Sequence, residues 1–169
     1  MRVFFSFYFT ADHTRAAQVM QDFLSHPGTQ ATGFISPDEL AEMAQAGLPA
    51  IYAWIEREVA AADVVVVLIG AETRGRHFVE FELACAQRQQ KPIIGLAVHT
   101  LKDADGQTSQ PGDSPLFPVY SHYDHHADDG AQHLLEWAQS ALASQPATLG
   151  QLQAFLHQLN TAAHAHRAL

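Results

Sequence analysis

The sequence predicts an α/β domain: one parallel sheet of five strands with helices on both faces. Two observations predict it. Apolar strand-like runs alternate with segments of helical period along most of the 169 residues, which is the pattern of a parallel sheet covered on both sides. The clearest runs, "DVVVVLIG" (63–70) and "PIIGLAVH" (92–99), are apolar without alternation, as strands buried on both faces are.

The elements follow in order. "RVFFSFYF" (2–9) is a continuous apolar, aromatic run and reads as the first buried strand. A helix over 12–26 carries Ala16, Val19, Phe23 and Leu24 near helical spacing. "GFIS" (33–36) reads as a short second strand. "SPDE" (36–39) opens a helix: Ser36 can cap, Pro37 fits the first turn and Glu39 stands three residues after the cap. "GLP" (47–49) interrupts, and a further helix places Ile51, Ile55 and Val59 four apart. After strand 63–70 come the loop "AETRGR", a helix over 77–90 and strand 92–99. The polar stretch 100–118 is a loop long enough to serve as a lid. "VYSHY" (119–123) is a weak fifth strand and 128–144 a helix. In "LGQLQAFLHQLNTAAHAHRAL", Leu149, Leu152, Phe155, Leu156 and Leu159 form an apolar stripe that something must cover, this domain or a second copy. The expected organisation is a domain over 1–145 and a helical extension over 146–169. Five such strands favour the flavodoxin-like order 2-1-3-4-5, a three-layer fold whose ligands bind at the carboxyl ends of strands one and three.

Bulk properties narrow the partners. The chain is 47% hydrophobic with a formal charge of −9, and its pI is near 5.5. That balance repels a nucleic-acid backbone and an anionic membrane surface. Cys85 is the one cysteine, so no internal disulfide framework exists and a reducing, cytoplasmic setting is expected. The opening apolar run is too short for a signal-peptide core, and the most apolar stretch is too short to span a bilayer. "HYDHH" (122–126) and "HAHR" (164–167) lack the spacing of a zinc site, so no metal is expected. No Walker-type loop or GxGxxG is present.

"GRHFVEFELACAQ" (75–87) holds the unusual feature. At about 100° per residue with Phe78 at zero, Ala86 falls at about 80°, Val79 at about 100° and Leu83 at about 140°. Glu82 falls at about 40°, inside this apolar arc, and Glu80 at about 200°, on the opposite side. A carboxylate on an apolar face costs free energy unless something satisfies it. Three readings stay open: pairing with an arginine such as Arg15 or Arg74, a position at the core's rim that reaches water, or a carboxylate held in a cleft for a ligand.

Taken together, "VFFSFYFTAD", "AIYAWIEREVAAADVVVVLIG", "TRGRHFVEFELACA" and "GLAVHTLKDADG" resemble the TIR-like (Toll/interleukin-1 receptor-like) proteins of bacterial Thoeris anti-phage systems, over about residues 2 to 125. The resemblance implies a flavodoxin-like fold and cleavage of NAD at the nicotinamide–ribose bond. It implies a cyclic or modified ADP-ribose product that activates a separate effector protein. NAD would be the substrate, with no resident cofactor, and the active form a possible homo-oligomer. The family's catalytic glutamate, in an aromatic-Val-x-x-Glu-aliphatic pattern, falls on Glu82 of Phe78-Val79-Glu80-Phe81-Glu82-Leu83. By the same resemblance Ser6, Phe7, Tyr8, Ser36 and Phe78 contact the nucleotide. The chain departs from the pattern twice: Phe78 stands where Trp is common, and Ser36 where an acidic residue is common. Arg74 and Arg76 are candidates for phosphate contacts or for a solvated loop. The competing function is a non-enzymatic TIR-like module acting by homotypic assembly, which has no use for a carboxylate at Glu82.

Overall fold

The computed structural model describes residues 1–144; the expected extension and its apolar stripe lie outside the described residues. The elements are β1 (Arg2–Ser6), α1 (Phe9–Leu24), β2 (Gln30–Thr32), α2 (Pro37–Ala46), α3 (Leu48–Ala61), β3 (Val64–Ile69), α4 (His77–Arg88), β4 (Ile93–Ala97), β5 (Ser121–Asp124) and α5 (Gly130–Ala143). The strands form one sheet in the order β2-β1-β3-β4-β5, and every neighbouring pair is parallel. This is the flavodoxin-like order.

The strand period of two divides the core. Val64, Val66 and Leu68 point with Val3 and Phe5 toward α1 and α5. Val65, Val67 and Ile69 point with Phe4 toward α3 and α4, where Ile51, Ile55, Val59, Val79 and Leu83 meet them. β3 is buried along its whole length, which is why its sequence does not alternate.

Three boundaries differ from the sequence reading. β1 ends at Ser6, paired with Val67, and the helix begins at Phe9 with Tyr8 as its N-cap. The aromatic run therefore passes through a turn: Phe7, Phe9 and Phe34 pack ring on ring beyond the sheet, with centroids 6.3 Å apart in each pair with Phe7. β2 lies at 30–32, not 33–36. Gly33 ends it with φ of +84°, in a place where a Cβ would collide with the Phe5 carbonyl, so only glycine fits. β5 begins at Ser121 rather than Val119.

Loop 100–118 is not a free flap. Arg15 ties it to α1, donating from Nε to the Leu101 carbonyl at 2.9 Å and from a terminal nitrogen to the Gln107 carbonyl at 3.1 Å. The same guanidinium pairs with Asp12 at 3.1 Å and Asp103 at 3.3 Å. No helix among the described residues is long and apolar enough to cross a membrane.

Candidate functional site

Strand parity builds the site. Ser6 shares the face of Phe4 and so points toward α3 and α4, at the carboxyl end of β1. There it meets Glu82, one turn into α4. Ser6 Oγ donates to Glu82 Oε2 at 2.6 Å. Ser6 is fully buried and Glu82 only 9% exposed. Ser6 is Glu82's one hydrogen-bond partner among the described residues, and no cation pairs with it. Arg15 is engaged by Asp12 and Asp103, and Arg74 pairs with Asp113 in solvent. Neither bland reading of Glu82 therefore holds: it has no arginine partner, and it is buried rather than on an open rim.

Burial without a countercharge pushes the Glu82 carboxyl up to about 8, with the Ser6 hydrogen bond pulling weakly the other way. The ionised form loses hydration and gains a single hydroxyl in return. Glu80, on the opposite side of the helix, is exposed.

Glu82 lies in the lining of a cleft of about 290 Å³. Phe7, Tyr8 and Phe9 line it from the start of α1, and Ile51, Trp54 and Ile55 from α3. Arg76, His77 and Phe78 line it from the start of α4. Phe78 is 38% exposed, with its ring 6.2 Å from that of Tyr52. Tyr52 in turn shares a hydrogen bond of 2.6 Å with His77 Nε2. Arg76 is the one Arg or Lys in the lining. Its guanidinium carbon lies 3.8 Å above the Tyr8 ring, and it pairs with Glu72. Arg74, two residues earlier, belongs to the solvated loop.

The remaining candidates separate. Phe7, Tyr8 and Phe78 reach the cleft. Ser6 does not line it but supports Glu82 from beneath. Ser36 does not line it either: it caps α2. Its Oγ accepts from the Glu39 N–H at 3.2 Å, while Glu39 Oε2 accepts from the Ser36 N–H at 2.9 Å. The Ser36 N–H, and then the Ser36 hydroxyl at 2.7 Å, both donate to Oε2 and hold the Glu39 carboxyl below its ordinary range. No residue of loop 100–118 lines the cleft. Cys85 is buried and its thiol is pushed up by burial, the opposite of an activated nucleophile. His122 is bound to Ser114, and His125 approaches Asp22 at 3.7 Å; "HAHR" lies outside the described residues.

Sequence reasoning missed the α3 wall. Trp54 sits beside the Ile51–Ile55–Val59 stripe, so a wheel of that helix would have placed it at the stripe's edge. Met43 and Tyr52 carried no such signal, since their neighbours come from other elements.

The chain is similar to several known proteins. A Bacillus cereus (strain MSX-D12) protein is 32% identical over 75 residues. It carries the name cyclic ADP-D-ribose synthase ThsB1 as a provisional assignment. The alignment covers 44% of this chain and 38% of that relative. Among solved structures, the CMP N-glycosidase BcmB of Clostridium botulinum is 15% identical with a TM-score of 0.45, covering 81% of this chain and 99% of that one. A prokaryotic SEFIR domain is 18% identical with a TM-score of 0.43, covering 81% and 96%. The family model for the TIR-like domain of the Thoeris protein ThsB matches residues 4–103, more than half of the chain. The chain belongs to the TIR-like domain family of the Thoeris protein ThsB.

Proposed function

We propose that this domain cleaves NAD at the nicotinamide–ribose bond and releases the remainder as a cyclic or otherwise modified ADP-ribose. That product would activate a separate effector protein in defence against phage, in the cytoplasm. The observation that carries the reading is Glu82: a buried carboxyl with no cation of its own, in an aromatic cleft at the carboxyl end of β1. Family membership and the name of the Bacillus cereus relative support the same chemistry.

The chemistry suits the site. In NAD the nicotinamide ring nitrogen is positively charged. The C1′–N bond breaks with its electron pair moving onto that nitrogen, so neutral nicotinamide leaves without a proton. Positive charge develops on the ribose, as in other glycosyl transfers, and a carboxylate close to it lowers the barrier. The resting Glu82 carboxyl, near 8, is largely neutral at pH 7. The substrate's cation supplies the missing countercharge, so binding favours loss of the Glu82 proton. Phe7, Tyr8 and Phe78 offer rings to the nicotinamide and ribose, and Arg76 is placed to meet an anionic pyrophosphate.

Capture of the ribosyl cation completes the reaction. If water attacks C1′ and loses a proton, ADP-ribose forms. If a hydroxyl or ring nitrogen of the same molecule forms the new bond, a cyclic product results. A cleft that excludes water favours the second, and Glu82, once ionised, can accept a proton from an attacking hydroxyl. NAD acts as substrate, and no resident cofactor enters the scheme.

The test is nicotinamide release in cells expressing the wild type or Glu82→Gln, before and after phage challenge, with mass spectrometry of the nucleotide products. Release that depends on Glu82 supports cleavage. Equal release by both proteins contradicts it. Protection from phage by both would favour the non-enzymatic assembly module instead.

A further inference from the structure

Pockets that hold drug-sized ligands span roughly 300 to 1,000 Å³. The Glu82 cleft, at about 290 Å³, is short of what a molecule with two bases, two riboses and a pyrophosphate requires. Two other cavities adjoin it. One, of about 370 Å³, meets it at Thr10 and is lined by Asp12, Glu72, Asp103 and Asp105. His13 and Arg15 line it too, but Arg15 is taken by Asp12, Asp103 and two loop carbonyls and the His13 ring lies against Phe9 and Phe34, so the four carboxyls prevail and repel a pyrophosphate.

The other cavity, of about 400 Å³, shares Ile35, Met43 and Trp54 with the cleft and is bounded further out by Phe34 and Glu42. Phe34 is 38% exposed although it is a large aromatic. The backbone explains why it is held there. Gly33 turns the chain out of β2, and the Phe34 ring then rests on His13, with centroids 4.8 Å apart. Glu39, at the same cavity, is occupied by the Ser36 cap. Glu42 is exposed and makes no hydrogen bond or ion pair among the described residues.

We propose that this outer cavity, between the Gly33–Ile35 turn and the α2–α3 pair, binds the adenine of the dinucleotide against the rings of Phe34 and Trp54, with Glu42 accepting from its exocyclic amino group. The assignment of adenine rests on the NAD reading; the cavity, its rings and its free carboxylate do not. Aromatic side chains bind any base by its face, whereas a carboxylate acceptor prefers an amino group over a carbonyl. The substrate's two ends are thus held on either side of the wall formed by Ile35, Met43 and Trp54.

The test uses the two halves of the substrate as separate probes, titrated by calorimetry into the full chain. Phe34→Ala should weaken adenosine monophosphate by about tenfold, the low end of what loss of a stacking ring costs. It should weaken nicotinamide mononucleotide by no more than about threefold, because Phe34 does not line the inner cleft and bears on it through its stack on Phe7. The wild type should prefer adenosine over inosine monophosphate, and Glu42→Gln, at an exposed position that does not endanger the fold, should erase that preference. Failure of adenosine monophosphate to bind the wild type, or equal losses for both probes in Phe34→Ala, would overturn the assignment. If adenosine monophosphate binds as expected while nicotinamide release proves independent of Glu82, the cavity assignment stands and the cleavage reading falls.

Discussion

Two carboxyls are buried among the described residues, and they are kept in opposite ways. Asp12, on α1, is 1% exposed and is answered by Arg15, which also binds Asp103 and two loop carbonyls. Its second oxygen lies against Gly70, where a Cβ would collide with the carboxyl. Glu82, on α4, has a serine hydroxyl and a cleft. The first carries its countercharge within the protein and fastens a long loop, although one Asp12 oxygen is buried without a hydrogen-bond partner among the described residues. The second lacks a positive charge, which the cationic substrate proposed above would supply. On the proposed reading, what distinguishes Glu82 is therefore not burial, which Asp12 shares, but the missing countercharge.

The largest effect that can break this comparison is on turnover. Glu82→Gln keeps the shape and the hydrogen bond to Ser6 and removes the charge. Nicotinamide release should fall by about 10²–10³ or more, as when an electrostatic stabiliser is removed, with no loss of melting temperature. Arg15→Met should do the reverse. It leaves Asp12 buried without its partner, which costs about 3–5 kcal/mol. Thermal unfolding should shift sharply downward, while nicotinamide release below the melting range should persist. Collapse of turnover at a temperature where Arg15→Met is fully folded would show that loop 100–118 serves the cleft after all.

The pH dependence sharpens the comparison. The Glu82 carboxyl rises from 4.5 to about 8 on folding, so the folded state holds the proton across that window and the unfolded state does not. Stability from this group is therefore intact below pH 4.5 and falls as pH rises toward 8, by up to about 1.4 kcal/mol per unit. Above 8 it changes no further. Melting curves of the wild type and Glu82→Gln, compared across that window, should diverge in the variant's favour as pH rises. Parallel curves would mean that Glu82 is not desolvated.

Smaller effects concern the cleft mouth. Phe78→Ala should cost under about 1 kcal/mol of stability, because a ring this exposed forms little of the core and the 3–5 kcal/mol of a buried Phe does not apply. It should raise KM for NAD by about tenfold, as removal of a stacking ring does. A large melting shift with normal turnover would place Phe78 in the core instead. Glu80→Gln, one helical face away, should change turnover by less than about twofold.

Much of the site was legible in the sequence because it follows from the two periods of secondary structure. The helical wheel separated Glu82 from Glu80, and the structure buries one and exposes the other. Strand parity likewise puts Ser6 on the face of Phe4, toward α4. The cap at Ser36 was read correctly as local chemistry, which is why Ser36 is absent from the cleft: its oxygen is already used. What the sequence concealed depends on contacts between distant elements. The run Phe7–Phe9 reads as strand because a cleft lining is as apolar as a core. The edge of β2 depends on Gly33 taking a left-handed φ against the Phe5 carbonyl. Arg15 reads as a possible partner of Glu82 until loop 100–118 closes over it and takes its guanidinium.

The central claim is that Glu82 is held for a positive charge the protein does not supply. Carbon NMR of the Glu82 side-chain carboxyl, titrated in the free protein and with nicotinamide mononucleotide bound, tests it directly. The free carboxyl should titrate near 8, and binding of the nicotinamide cation should move it downward. An ordinary value near 4.5 in the free protein, or a raised value that the ligand leaves unchanged, would contradict the account.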